Sequence, residues 1–315
     1  KPCLHDMLEQ CDQNTPKMLF SSKHLRGEIP LTIARFSNLG YLDLSRNRIS
    51  GEIPPVLGQL SNLSGLNLST NQLTGEIPSE LCNLKNLVSL HLNRNNLIGE
   101  IPPGLGQLSE LETLNLQENH LRGNIPPELG KLSKVKILYL NENQLTGEIP
   151  PEFGGLTRVA TLALNDNHLQ GEIPVELSTL SCLRFLHLNG NQLSGDIPAE
   201  LGNLTLWRIE LQNNQLSGRI PPELSKCSEM MYMFLDNNFL CGEIPVGFTK
   251  LSQLKELQLN DNQLSGEIPT ELAQLPKLYK LDLSENYFQE HNFPEHVKAN
   301  LQNYNKPLPS IKSAR

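Results

Sequence analysis

The sequence predicts an α/β repeat solenoid in which each coil adds one strand to a parallel sheet. Two observations predict it. An asparagine recurs at Asn47, Asn71, Asn95, Asn119, Asn143, Asn167, Asn191, Asn214, Asn238, Asn262 and Asn286, every 24 residues except for 23 between Asn191 and Asn214. Self-similarity at a fixed period of about 20–50 residues is the mark of a solenoid. The surroundings of each asparagine also barely change: Leu42 to Pro54 reads LDLSRNRISGEIP, and close copies follow down the chain.

Each element of the unit answers a physical need. In Leu39-x-x-Leu42-x-Leu44-x-x-Asn47 the leucines at 42 and 44 alternate, so a short strand buries both on one face. Past the strand the chain turns inward, and the asparagine side chain suits main-chain groups that the turn leaves unpaired. Ile49 refills the interior, Gly51 permits a tight turn and Pro54 fixes φ where the next segment starts. Leu57, Leu60 and Leu63 follow at helical or 3₁₀ spacing and close the coil. No coil has a core of its own; burial comes from stacking on neighbours.

The full pattern, GEIPxxLGxLxxLxxLxLxxNxLS, resembles the plant-type leucine-rich repeat of receptor-like kinase ectodomains and polygalacturonase-inhibiting proteins, over residues 18–294. The resemblance implies a right-handed superhelix with a concave parallel sheet. It also implies short 3₁₀ or helical segments and strands of a second sheet on the convex side.

The ends are less regular. Residues 1–17 read as an N-terminal cap, with Leu4, Met7, Leu8 and Cys11 at helical spacing. The family's usual tryptophan and adjacent cysteine pair are missing from it. Residues 18–294 hold a degenerate first repeat, with Met18 and Phe20 at leucine positions and Lys23 at the asparagine position, then 11 regular units in one elongated domain. One residue is missing at Leu204-Thr205-Leu206, just before Trp207, the single tryptophan. After Phe293-Pro294, residues 295–305 read as a C-terminal helical cap with Val297, Leu301 and Tyr304 on one face, and 306–315 as a flexible tail.

Composition narrows the function. A formal net charge of −8 over 315 residues argues against a nucleic-acid partner, which calls for a basic patch. No stretch approaches the ~20 apolar residues of a membrane span, and the opening residues do not read as a signal peptide. Cys3 and Cys11 flank the cap segment and are candidates for a disulfide. Cys82, Cys182, Cys227 and Cys241 lie in different repeats; Cys227 replaces a core leucine and reads as a buried thiol, a bridge to Cys241 being the alternative. Sequons stand at Asn62, Asn67 and Asn203.

Strand alternation turns Tyr41, Asp43 and Ser45, and their equivalents in each repeat, to the concave side. In the C-terminal half, three successive strands carry Arg184, Phe185, His187, Trp207, Arg208, Glu210, Tyr232 and Phe234. Phe185, Trp207, Tyr232 and Phe234 form an exposed aromatic cluster about 10 Å across on strand spacing. Trp, Tyr and Arg dominate binding hot spots, so this patch is the candidate ligand site. A column of acids (Glu118, Glu142, Asp166, Asp236, Asp261, Glu285) reads as a solvated face.

Chemistry finds little support. His91 and His187 are four repeats apart, roughly 19 Å, too far to share a metal. No nucleophile motif, phosphate loop or cofactor fingerprint appears, so the chain reads as a non-enzyme needing no metal or cofactor. The expected function is recognition of a peptide, protein or polysaccharide outside the cell or at its surface. The alternative is a cytoplasmic protein–protein scaffold with reduced cysteines. An ice-binding array is disfavoured because the exposed columns are too mixed.

Overall fold

The structure, a computed structural model, describes residues 3–288. The C-terminal cap and tail expected beyond residue 294 lie outside those residues. The chain divides into two compact units, Lys1–His168 and Leu169–Arg315. In a solenoid each coil packs only on its neighbours, so compactness is a local property.

In the first unit the main-sheet strands are β1 (Lys17–Leu19), β2 (Tyr41–Asp43), β3 (Gly65–Asn67), β4 (Ser89–His91), β5 (Thr113–Asn115), β6 (Ile137–Tyr139) and β7 (Thr161–Ala163). They pair parallel in chain order, with Leu42, Leu66, Leu90, Leu114, Leu138 and Leu162 in one register row. The second unit repeats the plan with β8 (Phe185–His187), β9 (Arg208–Glu210), β10 (Tyr232–Phe234), β11 (Glu256–Gln258) and β12 (Lys280–Asp282). Its inward row is Leu186, Ile209, Met233, Leu257 and Leu281. All of these inward residues are buried.

Each strand from β1 to β11 is followed by a five-residue 3₁₀ turn, such as Pro55–Gln59 or Pro222–Lys226. The proline of each GEIP-type segment precedes the turn in extended backbone, as Pro54 does at φ −72° and ψ 132°. Between strand and turn lie the short second-sheet strands that the resemblance implied, for example Arg48–Glu52 beside Gln72–Thr74 and Gln192–Asp196 beside Gln215–Ser217. Stacking on the 3₁₀ side is close enough to exclude a side chain. A Cβ on Gly130 would stand 2.2 Å from the main-chain oxygen of Glu152.

The repeating asparagine ties adjacent coils together. Asn238 Oδ1 accepts from Leu216 N at 3.0 Å, in the coil before it. Its Nδ2 donates to the carbonyls of Leu211 at 3.0 Å, Leu235 at 3.1 Å and Asp236 at 3.2 Å. Asn143 does the same in the first unit. The residue before each asparagine pays for this turn with a left-handed backbone. Glu118, Glu142, Asp166, Asp261 and Glu285 all have φ between 53° and 55°. Most of the acidic column is therefore a special backbone position. Asp236 stands one residue earlier and is not part of it.

The missing residue near Trp207 is absorbed outside the sheet. Leu204 is extended at φ −88° and ψ 157°, where the matching Leu180 and Cys227 have ψ near 70° (73° and 69°). Strand and asparagine registers are kept: Leu193 N still reaches Asn214 Oδ1 at 3.0 Å.

At the N-terminus, α1 (Leu4–Glu9) buries Leu4 and Leu8. Arg35 holds it by donating to Leu8 O at 2.7 Å and pairing with Glu9 at 3.0 Å. Met7 is half-buried. The bridge expected between Cys3 and Cys11 is not formed, since both are free thiols. They stand at opposite ends of α1. The six helical residues between them rise about 9 Å, past the ~7 Å Cα separation a disulfide can span. Cys227 is a buried free thiol contacting Leu204 O at 3.2 Å, and Cys241 is free as well. Among the described residues no helix is long and apolar enough to cross a membrane.

Asn238→Ala strands the Leu216 amide and two buried carbonyls, and a cost of about 2–4 kcal/mol is expected. Urea denaturation beside the exposed Gln215→Ala control, expected within ~0.5 kcal/mol of wild type, checks it.

Candidate functional site

The second unit brings most of the predicted patch together on the open face of β8, β9 and β10. Register aligns Phe185 with Arg208 and Tyr232, and His187 with Glu210 and Phe234. Odd positions of a strand share a face, so all six side chains stand on the side opposite the core.

Arg208 is the centre of this group. Its guanidinium lies 5.0 Å from the ring centre of Tyr232 and 5.1 Å from that of Phe234. It also forms an ion pair with Glu210. The other carboxylate oxygen of Glu210 meets His187 Nδ1 at 2.8 Å. Burial pushes the Glu210 carboxyl up, but the hydrogen bond and charge of His187, with those of Arg208, outweigh it and hold the group below its ordinary value.

The aromatic groups differ in exposure. Trp207 is 39% exposed and meets Phe185 edge-on, with ring centres 5.7 Å apart at 80°. Phe185 in turn stacks in parallel with His187 at 6.5 Å. Phe185, His187, Arg208 and Tyr232 are half-buried. Two expectations are corrected here. Phe234 and Glu210 are buried, at 8% exposure each, because Arg208 lies across one and pairs with the other. Arg184 does not join the patch through its side chain, whose Nη1 is taken by the carbonyls of Ser181 at 3.1 Å and Leu183 at 2.9 Å. It contributes its own carbonyl, which receives the amides of Trp207 and Arg208.

The patch also continues into two strands that sequence reasoning left out. Lys255 Nζ stands 5.8 Å from the ring centre of Tyr232. In the next coil Tyr279 donates its hydroxyl to Glu256 Oε1 at 2.5 Å. That hydrogen bond, with some desolvation, pushes the Tyr279 hydroxyl up to about 12. The signal was in the sequence: Lys255 and Tyr279 occupy the same repeat position as Trp207.

With this geometry described, known proteins give the frame. Models described as leucine-rich repeat region, leucine rich repeat and leucine-rich repeat match residues 31–149, 228–288, and 182–204 with 205–227. Together they span more than half of the chain. This is a plant-type leucine-rich-repeat protein. The solved structure of PEPR1-AtPEP1 superposes on this leucine-rich-repeat chain with a TM-score of 0.82 at 37% identity, covering 87% of this chain and 39% of that one. The Arabidopsis receptor kinase HAESA, in complex with the peptide hormone IDA and the co-receptor SERK1, gives a TM-score of 0.76 at 33% identity, with 88% and 51% covered. A plant ice-binding protein gives 0.70 at 32% identity, with 80% and 82% covered. The chain thus spans about half or less of the PEPR1-AtPEP1 and HAESA structures and most of the ice-binding one. No curated protein matches its sequence.

Arg208→Ala removes the cation shared by two rings and one carboxylate, and a loss of about 1–3 kcal/mol is expected at pH 7. Glu210 has a depressed pKa, so its share of stability is present above the ordinary value of about 4.3 and is lost as pH falls below it. The gap between wild type and variant is expected to narrow in that acid window, as read by denaturant unfolding at both pH values.

Proposed function

We propose that this chain is a non-catalytic, extracellular recognition module. Its ligand is a peptide or protein bound on the open, concave sheet face of the second unit. Phe185, His187, Trp207, Arg208 and Tyr232 would make the contact, with Glu210 and Phe234 supporting Arg208 from beneath. The observation that carries the reading is the Trp207–Phe185 pair beside the Arg208–Tyr232 stack. These are the residue types of binding hot spots, and their mutual contacts hold them in place before a ligand arrives. Likeness to the receptor kinase HAESA, whose structure was determined in complex with a peptide hormone, supports it.

The test is a binding screen of purified protein against peptides, cell-wall oligosaccharides and candidate polysaccharide hydrolases, with Trp207→Ala/Tyr232→Ala alongside. A peptide or protein ligand is expected to bind, and to weaken at least about 100-fold in the double variant. Unchanged affinity would move the site elsewhere, and an oligosaccharide hit would change the ligand class. The four cysteines scattered through different repeats, Cys82, Cys182, Cys227 and Cys241, suggest a second reading, a scaffold in a reducing compartment. Thiol counting on protein from its native source separates the two, because any disulfide-linked pair argues for an oxidising one. Likeness to the ice-binding protein is tested by thermal hysteresis, where none is expected, since the residues facing out of successive strands differ in size and polarity.

A further inference from the structure

Four successive coils of the second unit place a polar side chain directly after the second inward residue of the strand: Asn189, Gln212, Asp236 and Asn260. Because His187, Glu210, Phe234 and Gln258 align in register, these four align two residues further on. Each has one side-chain oxygen, Oδ1 or Oε1, that is buried and has no hydrogen-bond partner. Buried polar atoms are usually paired, because an unmet one forfeits its bonds to water. A run of four in equivalent positions therefore has a common origin.

That origin is chemical. Amide oxygens and ionised carboxylates only accept hydrogen bonds, so these oxygens cannot satisfy one another. The amide group of Asn260 is already committed, donating to Asp261 Oδ2 at 2.7 Å. Of the four side chains only Asp236 can gain a donor by taking up a proton; Asn189 and Gln212 would have to turn their amides over to present one.

We propose that Asp236 is a proton-operated latch between coils, donating from Oδ1, once protonated, to the unmet oxygen of Gln212 or Asn260. Coils are spaced about 4.8 Å apart, a gap that side-chain torsions can close to hydrogen-bond distance. Burial pushes the Asp236 carboxyl up to about 6, against its own backbone amide; the charges of Asp261 and Asp282 add to the rise and Lys280 opposes it. The preceding coil presents the uncharged Gln212 and Asn213. A carboxyl raised in the folded state binds protons that the unfolded chain does not, so stability grows as pH falls from neutral through about 6 toward the ordinary value near 3.9. Closing the latch also removes a negative charge from the end of the sheet that carries the aromatic patch. Mild acid would then strengthen binding of an anionic ligand group. That consequence rests on the recognition reading; the latch itself does not.

The experiment needs no ligand, so its outcome is independent of that reading. Carboxyl carbons of the full-length chain, labelled at aspartate, are followed by NMR across pH, with Asp236→Asn giving the assignment. Asparagine already stands at positions 189 and 260, so this variant is expected to fold. A midpoint near 6 is expected, and one near the ordinary value of about 3.9 overturns the proposal. Gln212→Met and Asn260→Ala each remove one unmet oxygen, and at least one should lower the midpoint. If neither does, no proton is shared. The melting temperature of wild type should rise between neutral pH and about pH 5, and that of Asp236→Asn should not. A rise of the same size in both would assign the effect to other groups and overturn the latch.

Discussion

What a solenoid must solve, coil after coil, is how to leave a parallel sheet without abandoning main-chain groups in a dry interior. Here one side chain solves it. An asparagine amide carries both an acceptor and two donors on a short stem, so it can serve a turn amide in one coil and carbonyls in two. Asn143 and Asn238 make the same set of four bonds in different units. Everything else in the repeat accommodates that hub. The preceding residue accepts a left-handed φ, the flanking leucines fill the interior it closes, and the glycine and proline set the return path.

Such a scaffold leaves its open face free to vary, because alternation separates it from the core. In the second unit that freedom is used for a network rather than a scatter of exposed side chains. Arg208 lies against two rings and a carboxylate, and Glu210 is shared between Arg208 and His187. Nearby, the unmet oxygens from Asn189 to Asn260 show the cost of the same regularity. When one position repeats with acceptors, the stack places like against like.

The core was legible because its determinants are local and periodic. Leucine alternation, the asparagine interval and the GEIP segment each state a torsional or burial requirement that any reader of the chain can recover. The candidate site was legible only in part. Column membership placed Phe185, Arg208, Tyr232, His187, Glu210 and Phe234 on one face, but it carries no information on rotamers. Burial of Phe234 beneath Arg208, and the turning of the Arg184 guanidinium onto nearby carbonyls, follow from side-chain torsions and competing partners. The expected Cys3–Cys11 bridge failed for a related reason. Closeness in sequence does not give closeness in space once a helix separates the two residues.

By itself, then, the sequence determined the repeat, its register, the asparagine ladder and the identity of the outward columns, because these depend on short-range patterns that recur. Only the tertiary structure decided which outward residues pair with one another and which stay free to meet a ligand. It also decided that a missing residue at Leu204 is absorbed by an extended backbone outside the sheet, and that Asp236 sits in a row of acceptors. Each of these outcomes depends on neighbours some 24 residues away, one coil along the stack, where only packing brings the groups into contact.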